Sequence, residues 1–122
     1  MILTFDFSSN VPLYMQLRNQ IVIGIAEGKL QPGEKLPTIR ALADESGINM
    51  MTVSKAYQIL KQEGYIVTDR RSGASVSVKD KVRIPDDTLR ELRLRISELR
   101  LSGMTKEDIK ALCENLYEEG DQ

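Results

Sequence analysis

The feature that most restricts the fold lies between residues 38 and 78: two short amphipathic helical stretches divided by a glycine, with two β-prone runs directly behind them. Thr38 is placed to cap the first stretch, residues 39–45, whose inner face is Ile39, Leu42 and Ala43. Gly47 breaks it by taking the left-handed backbone that glycine adopts without strain. Asn49 caps the second stretch, which carries Val53, Ala56, Tyr57 and Leu60 at helical spacing until Gly64. Two helices joined by a short glycine-containing turn make a helix-turn-helix. The small Ala43 and Gly47, with Val53, suit two helices that must cross closely. Residues 65–68 and 74–78 then form strands about the polar turn Asp69-Arg70-Arg71-Ser72-Gly73, which is a hairpin. A hairpin in that place is the wing of a winged helix, and its Arg-Arg tip is where a phosphate contact is expected. The expected fold is therefore mainly α with a small β-hairpin wing.

The flanking segments complete this plan. A first helix should begin near Pro12, capped by Ser9 or Asn10, with Leu13, Leu17, Ile21 and Ile25 on one face. Gly28 should end it, and Gln31-Pro32-Gly33 reads as a turn. The charged stretch from Asp80 to Asp87, with Pro85, marks the boundary between a winged helix-turn-helix domain (1–80) and a helical appendage (81–122). In the appendage, Leu89, Leu92, Ile96 and Leu99 follow a coiled-coil seam. Thr105 with Asp108 resembles a capping box ahead of Ile109, Leu112 and Leu116. Two short helices cannot bury all seven of these apolar side chains against each other, so a second copy is the expected cover and the chain a homodimer.

Composition removes whole classes of function. The chain has no histidine and one cysteine, Cys113, so histidine-based acid-base chemistry, a Cys/His zinc site and an internal disulfide are all excluded. No enzyme, metal or cofactor is expected. No stretch approaches the roughly 18 apolar residues of a membrane span, and the start lacks a basic flank with a long apolar run, so a cytoplasmic protein is expected. The formal net charge of −1 hides an asymmetry. Residues 35–79 hold seven basic side chains (Lys35, Arg40, Lys55, Lys61, Arg70, Arg71, Lys79) and four acidic ones (Asp44, Glu45, Glu63, Asp69). Residues 102–122 hold two basic and six acidic side chains, so one end suits a phosphate backbone and the other avoids it.

The runs Pro12-Leu13-Tyr14, residues 28–43 (GKLQPGEKLPTIRALA), Thr52-Val53-Ser54-Lys55-Ala56-Tyr57 and Glu63-Gly64-Tyr65-Ile66 closely resemble the DNA-binding domain of GntR-family regulators. The short helical appendage looks like the YtrA-type subgroup, whose members dimerise through such helices. The resemblance implies a homodimeric, sequence-specific regulator, a repressor, on an inverted-repeat operator in double-stranded DNA. It implies that Arg40 contacts DNA from the second helix, that Thr52 does so from the recognition helix, and that Gly73 is the wing-tip glycine. Lys35, Thr38, Asn49, Ser54, Lys55, Tyr57, Arg70 and Arg71 join the candidate DNA-facing set. Where the family usually has Ser-Arg-x-Thr, this chain reads Asn49-Met50-Met51-Thr52, and an arginine often found just after that threonine is Ser54. Met50 and Met51 fit either packing or contact with a thymine methyl. The same departures make a protein-interaction module with weak or no DNA binding the alternative function. A small-molecule effector stays open, with its chemistry unknown.

Overall fold

The computed structural model of the protein describes residues 3–79 and 82–119. It divides into two compact units, Met1–Val82 and Arg83–Gln122. The division expected at 80/81 falls on Asp80 and Lys81, which lie outside the described residues. The first unit runs α1 (Leu13–Ala26), α2 (Ile39–Ser46), α3 (Met50–Gln62), β1 (Ile66–Asp69) and β2 (Gly73–Val76). The second holds α4 (Asp86–Leu101) and α5 (Lys106–Glu119).

Local signals set the helix-turn-helix. Thr38 Oγ1 accepts the Ala41 N–H at 3.1 Å and so caps α2. Gly47 ends α2 at φ +70°, and a Cβ built there would meet nothing within 4 Å. The turn therefore needs glycine for its left-handed backbone, and not for the close crossing that the sequence suggested. Gly47→Ala is expected to cost about 1 kcal/mol through that backbone strain alone, seen as a lower Tm with an unchanged circular dichroism spectrum.

α1 departs from expectation at its start. Neither Ser9 nor Asn10 caps it: Pro12 holds the N-cap position without a side-chain bond, and Ser9 Oγ accepts the Val11 N–H at 3.1 Å instead. The chain before α1 is tied down by two glutamines. Gln20 exchanges two hydrogen bonds with the Thr4 main chain, at 3.0 and 2.6 Å. Gln16 exchanges two with Asp6, both at 2.9 Å. Four residues of helix rise about 6 Å and two residues of extended chain about 6.6 Å, so the two amides meet alternate residues of the arm.

α3 is the hub of the first unit, packing on α1, α2 and β1. Its Val53, Ala56 and Leu60 are fully buried with Leu17 and Ile21 of α1, Leu42 of α2, and Ile66 and Val76 of the hairpin. The hairpin is antiparallel, pairing Ile66 with Val76 and Asp69 with Gly73. A third extended stretch joins it: Gly33 N–H and Leu36 N–H donate to Val76 and Ala74 carbonyls, both at 2.9 Å, and Val76 N–H returns a bond to Glu34 at 2.8 Å. The sequence showed only a turn there. Lys35 is thus fixed by main-chain pairing opposite Ser75.

In the second unit the capping box is complete. Thr105 Oγ1 accepts from Asp108 N–H at 3.1 Å, and the Asp108 carboxylate accepts from Thr105 N–H at 3.0 Å. The bond from the Thr105 main chain, with its hydroxyl beside it, lowers the Asp108 carboxyl below its ordinary value. No residue of α4 is buried. Leu89, Leu92 and Leu116 are more than half exposed, and Ile96, Leu99 and Leu112 are partly so. Ile109 is the exception in the expected seam, because its own unit buries it.

Candidate nucleic-acid interface

Three pieces of the first unit line one groove of about 490 Å³: the start of α2, the middle of α3 and the hairpin. Thr38 and Arg40 stand on one side, Ser54, Gln58 and Lys61 along α3, and Thr68, Asp69 and Gly73 on the hairpin. The sequence picked out neither Gln58 nor Lys61 as a site residue. The available signal was spacing, since each follows a candidate, Met51 or Ser54, by seven residues and returns to the same helix face.

Each element presents its side chains for a local reason. Asn49 Oδ1 accepts the N–H groups of Met51 at 2.8 Å and Thr52 at 3.1 Å, which fixes the first turn of α3. Because Val53, Ala56, Tyr57 and Leu60 take the core face, the first turn faces water: Met51 is 80% exposed and Met50 46%. Neither methionine packs in the core. Thr52 and Ser54 are half-buried, and Lys55 is exposed with its ammonium 4.0 Å above the Tyr14 ring, a cation–π contact. At the wing tip, Asp69 Oδ1 accepts the Arg71 N–H at 2.9 Å, and both Arg70 and Arg71 project into solvent. Gly73 closes that turn at φ +78°.

Tyr57, grouped from the sequence with the DNA-facing residues, lines the floor of the groove; it is 5% exposed, and its hydroxyl donates to the Pro37 carbonyl at 2.8 Å. Its place is structural: it ties the chain entering α2 to α3. Burial pushes the phenol up to about 12 from an ordinary 10. Because the folded state favours the neutral phenol, this stabilisation is complete below pH 10 and is lost as the pH rises toward 12. Tyr57→Phe is expected to cost about 1 kcal/mol at neutral pH. The variant should also lack that part of the alkaline loss, which parallel urea titrations at pH 8 and pH 11 would reveal.

The electrostatics of this face are unbalanced. Lys35, Arg40, Lys55, Lys61, Arg70, Arg71 and Lys79 form no ion pair among the described residues. Two of the four acids in residues 35–79 are engaged elsewhere. Glu63 accepts from Nε and Nη2 of Arg18, each at 2.8 Å, and this pairing raises the arginine above its ordinary value. Asp69 serves the wing turn. The free cations thus keep their charge for an outside partner, and they are spread over every element that lines the groove.

Residues 13–76 match the gntR family of bacterial regulatory proteins. An HTH-type transcriptional regulator of Mycobacterium tuberculosis is 34% identical over 108 residues, covering 87% of this chain and 86% of the relative. The HTH-type transcriptional repressor YtrA of Bacillus subtilis is 34% identical over 94 residues, covering 77% and 72%. Among solved structures, one described as a transcriptional antiterminator from Listeria monocytogenes superposes over 100% of this chain and 94% of its own, with a TM-score of 0.83 and 29% identity. YtrA from Sulfolobus acidocaldarius covers 80% of this chain and 99% of its own, with a TM-score of 0.67 and 39% identity. The DNA-binding domain of AraR in complex with an operator covers 63% of this chain and 96% of its own, with a TM-score of 0.56 and 26% identity. On the strength of the shared winged helix, the span of the match and these identities, the chain belongs to the gntR family of bacterial regulatory proteins, in its YtrA-type subgroup.

Proposed function

We propose that the protein is a sequence-specific, DNA-binding transcription repressor that acts in the cytoplasm as a homodimer on an inverted-repeat operator. The observation that carries this reading is the set of cations without an ion pair among the described residues on the three elements that form one groove: Arg40 of α2 and Lys61 of α3 line it, and Arg70 and Arg71 stand at the tip of the hairpin. A phosphate backbone lying along that groove meets positive charge from each side, while the N-terminal turn of α3 enters the major groove. The AraR domain seen with an operator shares this fold, which supports the same use here. Thr52 and Ser54 then face the duplex from α3, with Lys55 beside them held over the Tyr14 ring, Lys35 and Thr38 flank it beside α2, and Asn49 shapes the helix end. The exposed leucines of α4 and α5 support dimerisation by a second copy. No helix among the described residues is long and apolar enough to cross a membrane.

The experiment is a gel-shift titration of the full chain on promoter DNA across a salt series. Affinity should fall steeply with salt as condensed counterions are released. Binding that ignores salt, or no binding at low salt, contradicts the proposal and favours a protein-interaction module.

A further inference from the structure

We infer that the first turn of α3 reads thymine: Met51, with Met50 beside it, meets the C5-methyl group of a thymine in each operator half-site. The inference rests on the DNA-binding reading above and adds the base chemistry that this helix selects. Met51 stands two residues before the fully buried Val53, which puts it about 160° round the helix, on the outward face. It is 80% exposed, and Met50 beside it is 46% exposed, so two apolar side chains stand free together on this turn. Nothing charged shares the turn, which reads Met50-Met51-Thr52-Val53. The nearest cation along the helix, Lys55, is turned onto the Tyr14 ring. Asn49 Oδ1 already occupies the N–H groups of Met51 and Thr52, so those donors are not free for a base edge either.

What the turn offers a major groove is therefore the half-buried Thr52 hydroxyl and, projecting beyond it, a flexible thioether arm. The thymine C5-methyl is the apolar group that projects into that groove, beside the polar guanine O6 and N7, adenine N6 and N7, cytosine N4 and thymine O4. A methionine pressed on guanine O6 or cytosine N4 strips water from a polar atom and returns no bond, which disfavours those bases. Pressed on a methyl group, both partners shed water and both gain. The selection thus acts in two directions, toward thymine and against the polar edges.

The test begins with the full chain and a random duplex library, enriched over several rounds by the wild-type protein. In the best duplex each thymine is then replaced singly by uracil, which removes only the methyl. The expected result is one position per half-site where uracil lowers wild-type affinity about fourfold, the worth of one buried methyl group. At that position 5-methylcytosine should bind better than cytosine. The Met50→Ala, Met51→Ala double variant, whose altered side chains lie outside the core, should keep its circular dichroism melt and lose both sensitivities. Equal sensitivity in the wild type and the double variant, or no thymine whose methyl matters, overturns the inference while leaving DNA binding intact. Failure to enrich any duplex overturns the DNA-binding reading itself and the inference with it.

Discussion

Replacing Leu92 and Ile96 together by glutamate is expected to leave a monomer whose operator affinity is lower by about 10²- to 10⁴-fold, the range that a lost second attachment spans. Both residues lie on the α4 seam, where Leu92 is 51% exposed and Ile96 partly so. In the proposed dimer a second chain buries them, and burying two unpaired carboxylates among leucines costs more than the seam returns. The first unit has its own core around Leu17, Ile21, Val53, Leu60 and Ile66, so its melting should persist in the variant. Sedimentation velocity gives the association state and operator titration the affinity. A variant that stays dimeric assigns the interface to other residues. A monomer with undiminished affinity removes dimerisation from the mechanism.

The second large effect is expected from Arg40→Ala combined with Arg71→Ala. One arginine stands at the start of α2 and the other on the wing, on separate elements bordering the face that carries the groove, and neither has an acidic partner among the described residues. If each neutralises one phosphate, the double variant lowers the slope of log K against log salt by about two per copy. Affinity should fall roughly tenfold for each residue, similarly on specific and unrelated DNA, because phosphate contacts position the protein without reading sequence. Both side chains are exposed, so stability should hardly change. An unaltered slope places the DNA on a different face.

What the sequence made legible follows the range of the interactions. Thr38, Gly47 and Asn49 act within three residues of their own positions, and each takes the role its type and spacing suggested. The Thr105–Asp108 box is equally local. Interactions that span the chain were hidden. Tyr57 fits a helix face from its spacing, yet only the bond to Pro37, twenty residues away, shows it to be a structural tie. The pairing of residues 33–36 with β2 joins segments about forty residues apart and leaves no periodic trace. The glutamine clamp on residues 4 and 6 depends on an arm docking in one register, which two polar residues on a helix do not announce. On the candidate interface the sequence supplied the cations and both methionines. Tertiary structure was needed to add Gln58 and to bring Lys61 from a counted charge to the groove wall, because the groove exists only once α2, α3 and the hairpin are packed.

The central claim is a winged face that meets phosphate in two copies at once, and one titration addresses it most directly. The full chain is titrated onto an enriched inverted-repeat duplex over a series of salt concentrations, with the stoichiometry read at saturation. The expected result is two chains per duplex and a slope of log K against log salt steeper than about −4, the value for two phosphates neutralised by each copy. One chain per duplex, or a slope near zero, contradicts it.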